Sequence, residues 1–410
     1  MDWFVTLVDG LGWALVLYYL VAALGALALT LIAAATLLRR RRAGEDADEE
    51  AFANPFSPAV SIILTVQDIG PDTGERIRAL LGLRYPRLEV VVVADGVPEA
   101  DLAPIVERFG LNPRLWIGAG LKTSARVTGC WSGRGLTLVA ATAKNDTDAL
   151  NCGIATARHP LVCLTRIEAV LDGSALLTMV APFLDDPGRV VAAASVPRAL
   201  DGSKVVAGRV TEARAPERLE DRRGALALLR RGLINGVARS RLNATTDLPA
   251  ELSVYRRELL SGLGGAGPDL ALRIHGSLKG GDGYRIAIVP DPIVWVPLGR
   301  SAHVVRRRSV PGPISLVETP WRLLRILAPW ANRLLFVYLG LAAVGGVLAL
   351  TGHDGVNPAV VLLLLAFAGL VPMTVTAAGL ALEVLAFRHY DRVREPVRLL
   401  AAVPLHGGVS

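Results

Sequence analysis

The sequence predicts an α/β domain built on a parallel sheet and joined to helices that cross a membrane. Two observations carry this prediction. Short apolar strands alternate with helical segments from residue 58 onward, and three long apolar runs lie outside that alternation. The chain of 410 residues is 52% hydrophobic, with a mean hydropathy of +0.43. That average mixes two different materials.

Residues 10–38 contain no charged side chain, enough to cross a bilayer that needs about 20 apolar residues. The run is too long for a signal-peptide core of about 7–15 residues, and no basic segment precedes it. It reads as an anchor. Further apolar runs occupy 334–351 and 356–382, joined across the polar turn "GHDG". "RRRR" at Arg39 to Arg42 follows the first run, while Asp2 and Asp9 precede it. The positive-inside tendency therefore predicts an outside N-terminus, a cytoplasmic main domain and three spans. Arg388, Arg392, Arg394 and Arg398 then return to the cytoplasmic side. The expected divisions are an anchor (1–38), a basic then acidic linker (39–57), the α/β domain (58–310), an amphipathic interface helix (311–333), a hairpin of spans (334–387) and a tail (388–410).

The soluble part opens with the buried strand "AVSIILTV" and the helical "TGERIRALLGL". "LEVVVVADG" is a second strand, ending at an Asp-Gly turn. A helix "DLAPIVERFG", a strand "LTLVAA", a helix "DALNCGIATAR" and a strand "PLVCLTR" follow. Apolar strands alternating with helices indicate a parallel sheet covered on both faces, and such sheets bind ligands beyond their carboxyl ends. That rule directs attention to Gln67, Asp68, Asp95, Gly96 and the stretch Arg166 to Glu168. Residues 197–243 read as less regular and rich in arginine. "SLVETPWRLLRILAPWANR" has the mixture of tryptophan, arginine and leucine expected at a membrane interface.

The net charge of +7 includes much juxtamembrane arginine and predicts attraction to anionic lipid rather than nucleic acid. Cys130, Cys152 and Cys163 lack metal-ligand spacing. They read as small apolar fillers in a reducing compartment.

In order, "SIILTVQD", "LRYPRLEVVVVADG", "DALNCGIATARHPLVC", "YRRELLSGLGG", "YRIAIVPDPIVW" and "LALEVLAFRHY" resemble the membrane-bound family-2 glycosyltransferases, the group of cellulose synthase and related polysaccharide synthases. The likeness runs over roughly residues 58 to 390. It implies a GT-A-type, Rossmann-like domain in a bacterial-type inner or plasma membrane, transferring sugar from a nucleotide-sugar donor. The diphosphate leaving group of such a reaction needs a cation or aimed donors, and the acceptor hydroxyl needs a carboxylate base.

Several family motifs are altered in this chain. The acidic pair that holds the metal aligns with "RIE", leaving Glu168 as the sole carboxylate and Arg166 in place of the first. Weak binding of Mg²⁺ or Mn²⁺ and no required cofactor are the expectations, because a divalent ion seeks hard oxygen ligands. Lys144, Asn145 and Asp146 stand where a Gly-Gly-Lys is usual. Asp95 matches a nucleotide-contacting acid, though "DG" also favours a turn. Asp148 and Asn151 match "DALN", with helix capping as their structural alternative. Pro268 replaces one acid of the base pair, and Asp269 remains as candidate base or helix cap. Val305 and Ser309 replace the Gln and Trp of a QxxRW motif, leaving Arg308.

Three readings stay open. One is a catalytically impaired relative, serving as structural or regulatory partner of an active synthase in exopolysaccharide or cell-envelope glycan assembly. Another is an active, metal-independent transferase with Asp269 as base and arginines in place of the ion. A nucleotide-sugar sensor without transfer is a third.

Overall fold

The structure is a computed structural model that describes residues 2–42, 57–118, 121, 123–249, 251–278, 283–291, 293–298, 319–350 and 357–387. Its centre is a nine-stranded sheet in the order β13-β8-β12-β6-β1-β2-β5-β4-β3. The strands are β1 (Val60–Val66), β2 (Leu88–Asp95), β3 (Asn112–Pro113), β4 (Arg126–Gly133), β5 (Leu136–Thr142), β6 (Leu161–Thr165), β8 (Val190–Ser195), β12 (Leu252–Arg256) and β13 (Arg285–Val289). A small second sheet joins β7 (Val170–Leu171), β14 (Val294–Val296) and β9 (Arg198–Ala199), and β10 (Lys204–Val206) forms a hairpin with β11 (Arg209–Glu212).

Both faces of the central strands are buried, which explains their unbroken apolar runs. Ile62 and Leu64 of β1 join one core with Val90 and Val92 of β2. Ile63 joins the opposite core with Val91 and Val93. The first face is covered by α2 (Thr73–Leu81), α3 (Glu99–Phe109) and α5 (Ala175–Asp185). The second is covered by α4 (Asp146–Thr156), α8 (Arg257–Gly262) and α9 (Leu270–Leu278). At Gly153 of α4 an added Cβ would lie 2.4 Å from Ile63 Cγ2, so only glycine lets the helix approach β1 this closely.

The parallel pattern holds for β6-β1-β2-β5 and for β13-β8. It fails at two strands. β12 runs antiparallel between β6 and β8, and β4 runs antiparallel to β5. β4, "RVTGCWSG", carries too few apolar residues to read as a strand. It pairs with β5 through a two-residue turn, Arg134 and Gly135, whose φ values of 48° and 80° suit a tight hairpin.

The stretch 197–243 is more regular than its composition suggests. After the β10–β11 hairpin, α6 (Leu219–Leu229) continues through a π-helical segment (Arg230–Gly236) into α7 (Val237–Arg241). The three cysteines are buried and free. Burial pushes each thiol up, Cys152 to about 12, so none is poised as a nucleophile.

Among the described residues, three helices are long and apolar enough to cross a membrane: Thr6–Arg39, Leu327–Val347 and Pro358–Val384. The first belongs to α1 (Asp2–Arg42) and the second to α10 (Thr319–Leu350). The third comprises α11 (Pro358–Leu365), a π-helical turn (Ala366–Leu370) and α12 (Val371–Phe387). The expected boundary at 333/334 is not marked by a break, because α10 runs through it. Leu17, Leu31, Phe336 and Leu362 face outward from this bundle, as lipid-facing side chains do. The linker 43–56, the turn 351–356 and the tail 388–410 lie outside the described residues.

The bundle is fastened to the sheet domain by a buried ion pair. Arg198, just past β8, donates to Glu383 of α12 through Nε at 2.7 Å and Nη2 at 2.8 Å. The same guanidinium donates to the carbonyls of Val196 and Pro290, at the ends of β8 and β13. Replacing one partner of such a pair strands the other charge, whereas replacing both by apolar groups does not. Glu383→Ala is expected to cost about 3–5 kcal/mol, and Arg198→Met with Glu383→Leu to recover most of it, read from denaturant unfolding of the full chain in detergent.

Candidate functional site

The four parallel strands β6-β1-β2-β5 end along one edge. Their register sets Val66 beside Ala94, Asp95 beside Ala141, and Ile63 beside Leu164. Chain order reverses between β1 and β6: the path leaves β1 toward β2 and β5, then returns to β6 on its other side. A crevice opens outside the carboxyl ends at such a reversal, and ligands of open α/β sheets bind there. Gln67 and Asp68 line this position from β1, and Arg166 to Glu168 from β6.

Arg166 Nε lies 3.3 Å from Glu168 Oε2. The two side chains are 38% and 23% exposed, so the pair sits partly in solvent beyond the end of β6 rather than in the core. Arg76 of α2 donates to the carbonyl of Ile167 at 2.9 Å, pinning the turn between them. The guanidinium therefore occupies the electrostatic field of the Glu168 carboxylate. Among the described residues, no three His, Cys, Asp or Glu side chains converge as metal ligands.

Asp95 closes β2 and is followed by Gly96 at φ 70°. Its Oδ1 accepts from the backbone N–H of Ala143 at 2.8 Å, tying β2 to the segment after β5. Gln67 donates to Asp146 Oδ1 at 3.0 Å, joining the end of β1 to the start of α4. These two links place Asp95, Gln67 and Asp146 along the same edge.

Asp148 is buried and serves as the knot of a neighbouring loop. Its carboxylate accepts from Ser124 N at 2.9 Å, Ser124 Oγ at 2.8 Å, Thr123 Oγ1 at 3.1 Å and Lys144 N at 3.3 Å. Burial pushes this carboxyl up, but the hydrogen bonds outweigh it and hold the group below its ordinary value. Asn145 caps α4 by accepting from Asp148 N at 3.0 Å. The geometry gives Asp148 an organising role, with its oxygens committed to the protein.

Asp269 stands immediately before α9 with φ 53°, in the left-handed region. A capping side chain normally extends from β-region backbone, which Asp269 lacks; its backbone carbonyl accepts the first bond of the helix, from Arg273 N at 3.0 Å. Its loop is carried to α4, where Asn151 Nδ2 donates to the carbonyl of Ala266 at 3.2 Å. Gly265, at φ 102°, presses against Asn151 so closely that a Cβ would lie 2.3 Å from Oδ1. Asp269 thus belongs to a loop resting on the helix that starts at the site edge. Arg308 and the rest of "VRRRS" lie outside the described residues.

Sequence reasoning overlooked Thr123 and Ser124. They fall in a polar loop with no periodicity, and only the fold brings them to Asp148.

No family model matches the chain, and no curated protein matches it. Comparison with solved structures finds, among others, a mannosyltransferase from Pyrobaculum calidifontis in complex with GDP-Man and Mn²⁺. It is 19% identical, over 97% of this chain and 98% of that one, with a TM-score of 0.42. A likeness at that level says nothing of what this chain binds or transfers.

The lowered Asp148 carboxyl has a consequence for pH. A depressed folded-state group stabilises the protein above its unfolded value and loses that contribution as pH falls through the folded one. Wild type is therefore expected to lose thermal stability on acidification below its ordinary 3.8. Asp148→Asn is expected to be less stable at neutral pH and to lack that acid step, as read from melting midpoints across pH.

Proposed function

We propose that this chain is a membrane-embedded protein of glycosyltransferase-family-2 type whose donor site is catalytically impaired. It acts as a structural or regulatory partner of an active synthase in exopolysaccharide or cell-envelope glycan assembly. The observation that carries this reading is the Arg166–Glu168 pair at the reversal point of the sheet.

An active site of this type gathers positive charge where the diphosphate leaves. A divalent ion does this when two carboxylates hold it. Here the remaining carboxylate is engaged by a guanidinium, and that positive group repels an incoming divalent ion. An exposed pair of this kind adds little to stability, so its effect is on the site rather than on the fold. Asp146, bonded to Gln67, adds negative charge where the resembling enzymes carry a lysine. Asp148, a matched site residue, spends its hydrogen-bonding capacity on the loop at 123–124. The three long apolar helices support a multi-pass membrane placement. The arginine distribution favours a cytoplasmic main domain with the N-terminus outside.

A second reading has its own support in the left-handed backbone of Asp269. Unusual backbone at a polar residue is a feature of active sites. In that case Asp269 takes the acceptor proton, and Arg166 with Arg306 to Arg308 binds the diphosphate in place of a metal.

Turnover separates these readings. The purified full chain in nanodiscs, supplied with a panel of nucleotide-sugars, is expected to react far more slowly than about 1 s⁻¹, the low end for enzymes, with or without Mn²⁺. Arg166→Asp is expected to bind Mn²⁺ more tightly than wild type by calorimetry. Manganese-dependent transfer by the unaltered chain refutes the proposal. Chelator-resistant transfer abolished by Asp269→Asn establishes the second reading.

A further inference from the structure

The helical run 219–241 lies between the sheet and the apolar bundle. Its buried residues Leu229, Leu233, Ile234, Val237 and Ala238 pack with Leu29, Ala33 and Leu37 of α1 and with Val375 and Leu382 of α12. Polar side chains are unexpected on that stripe, yet two arginines fall on it. Arg223 and Arg230 are seven residues apart, which returns to the same helix face after two turns. Arg230 begins the π-helical segment.

Other arginines of this run have partners. Arg222 donates to the carbonyl of Pro216 at 2.8 Å, Arg231 pairs with Asp247, and Arg239 and Arg241 have contacts of their own. Arg223 Nε is buried without a hydrogen-bond partner among the described residues. Burial alone pushes the Arg230 guanidinium down, and no carboxylate among the described residues offsets it. Arginine cannot relieve such burial by giving up its proton. Two half-buried cations on one face call for an anion, and none of the described residues supplies one.

We propose that Arg223 and Arg230 form a binding site for the phosphate of an anionic phospholipid headgroup. The location favours that source over a soluble anion. The run packs against residues 29–37 of α1, just before that helix reaches its arginines at 39–42, which is the level at which a span meets headgroups. Guanidinium groups bind phosphate oxygens through paired N–H donors, and anionic lipids enrich the cytoplasmic leaflet. The site requires the membrane placement of the helices and is independent of whether the donor crevice is active.

The full chain, purified in micelles and given phosphatidylglycerol or phosphatidylcholine, provides the test by native mass spectrometry. Wild type is expected to retain phosphatidylglycerol preferentially. Arg223→Gln with Arg230→Gln is expected to weaken that retention by roughly 30-fold, the combined effect of two arginines near a membrane surface. Arg218→Gln, at an exposed position immediately before the run, is expected to leave it unchanged. Equal retention of both lipids by wild type, or undiminished retention by the double variant, overturns the site. Stabilisation of the micellar protein by inorganic phosphate or pyrophosphate, with none from phosphatidylglycerol, overturns the lipid assignment. If the double variant does not fold, the single variants Arg223→Gln and Arg230→Gln are read instead, each expected to weaken retention by about fivefold, and undiminished retention by both overturns the site.

Discussion

The Arg198–Glu383 ion pair is the interaction through which the membrane part and the sheet domain are held in one arrangement. A carboxylate buried near the end of an apolar helix is costly unless a cation meets it with good geometry. Arg198 does so in fork fashion, and two strand-end carbonyls take up two more of its donors. Because those carbonyls belong to the ends of β8 and β13, the last helix is referenced to the same sheet edge that carries the candidate site. The apolar contacts of the run 219–241 with α1 and α12 surround this polar anchor. Hydrophobic contact is non-directional, so the pair supplies the direction that packing alone lacks.

Along that edge, the acidic groups are mostly committed to the protein itself. Asp148 is saturated by the 123–124 loop and Lys144 N, Asp95 accepts from Ala143 N, Asp146 from Gln67, and Glu168 faces Arg166. A site prepared for a divalent ion leaves carboxylate oxygens to converge on a common point. Here they are dispersed into four local tasks. That distribution motivates the proposed partner role.

Much of the architecture was legible in the letters. β1 and β2 could be read because strands buried on both faces are apolar throughout, and α1 because 29 uncharged residues from Gly10 to Leu38 admit few alternatives. β4 was missed because an edge strand with Gly, Thr and Ser has no such run. The antiparallel course of β12 was invisible for a different reason: "LSVYR" has the same composition whichever way it runs. The helix at 219–241 was hidden by its arginines, two of which lie on the face that a periodicity argument expects to be apolar.

By itself the sequence determined the class of sheet, the three long apolar helices and the placing of Arg166 and Glu168 one residue apart just after β6. Those features depend on composition and spacing within a few turns or strands of chain. Tertiary structure alone decided that Arg198 meets Glu383 across 185 positions, that Asp148 organises a loop, and that Asn151 carries the loop before Asp269. Such contacts leave no local period, because their partners become neighbours only after the sheet has set the order of its strands.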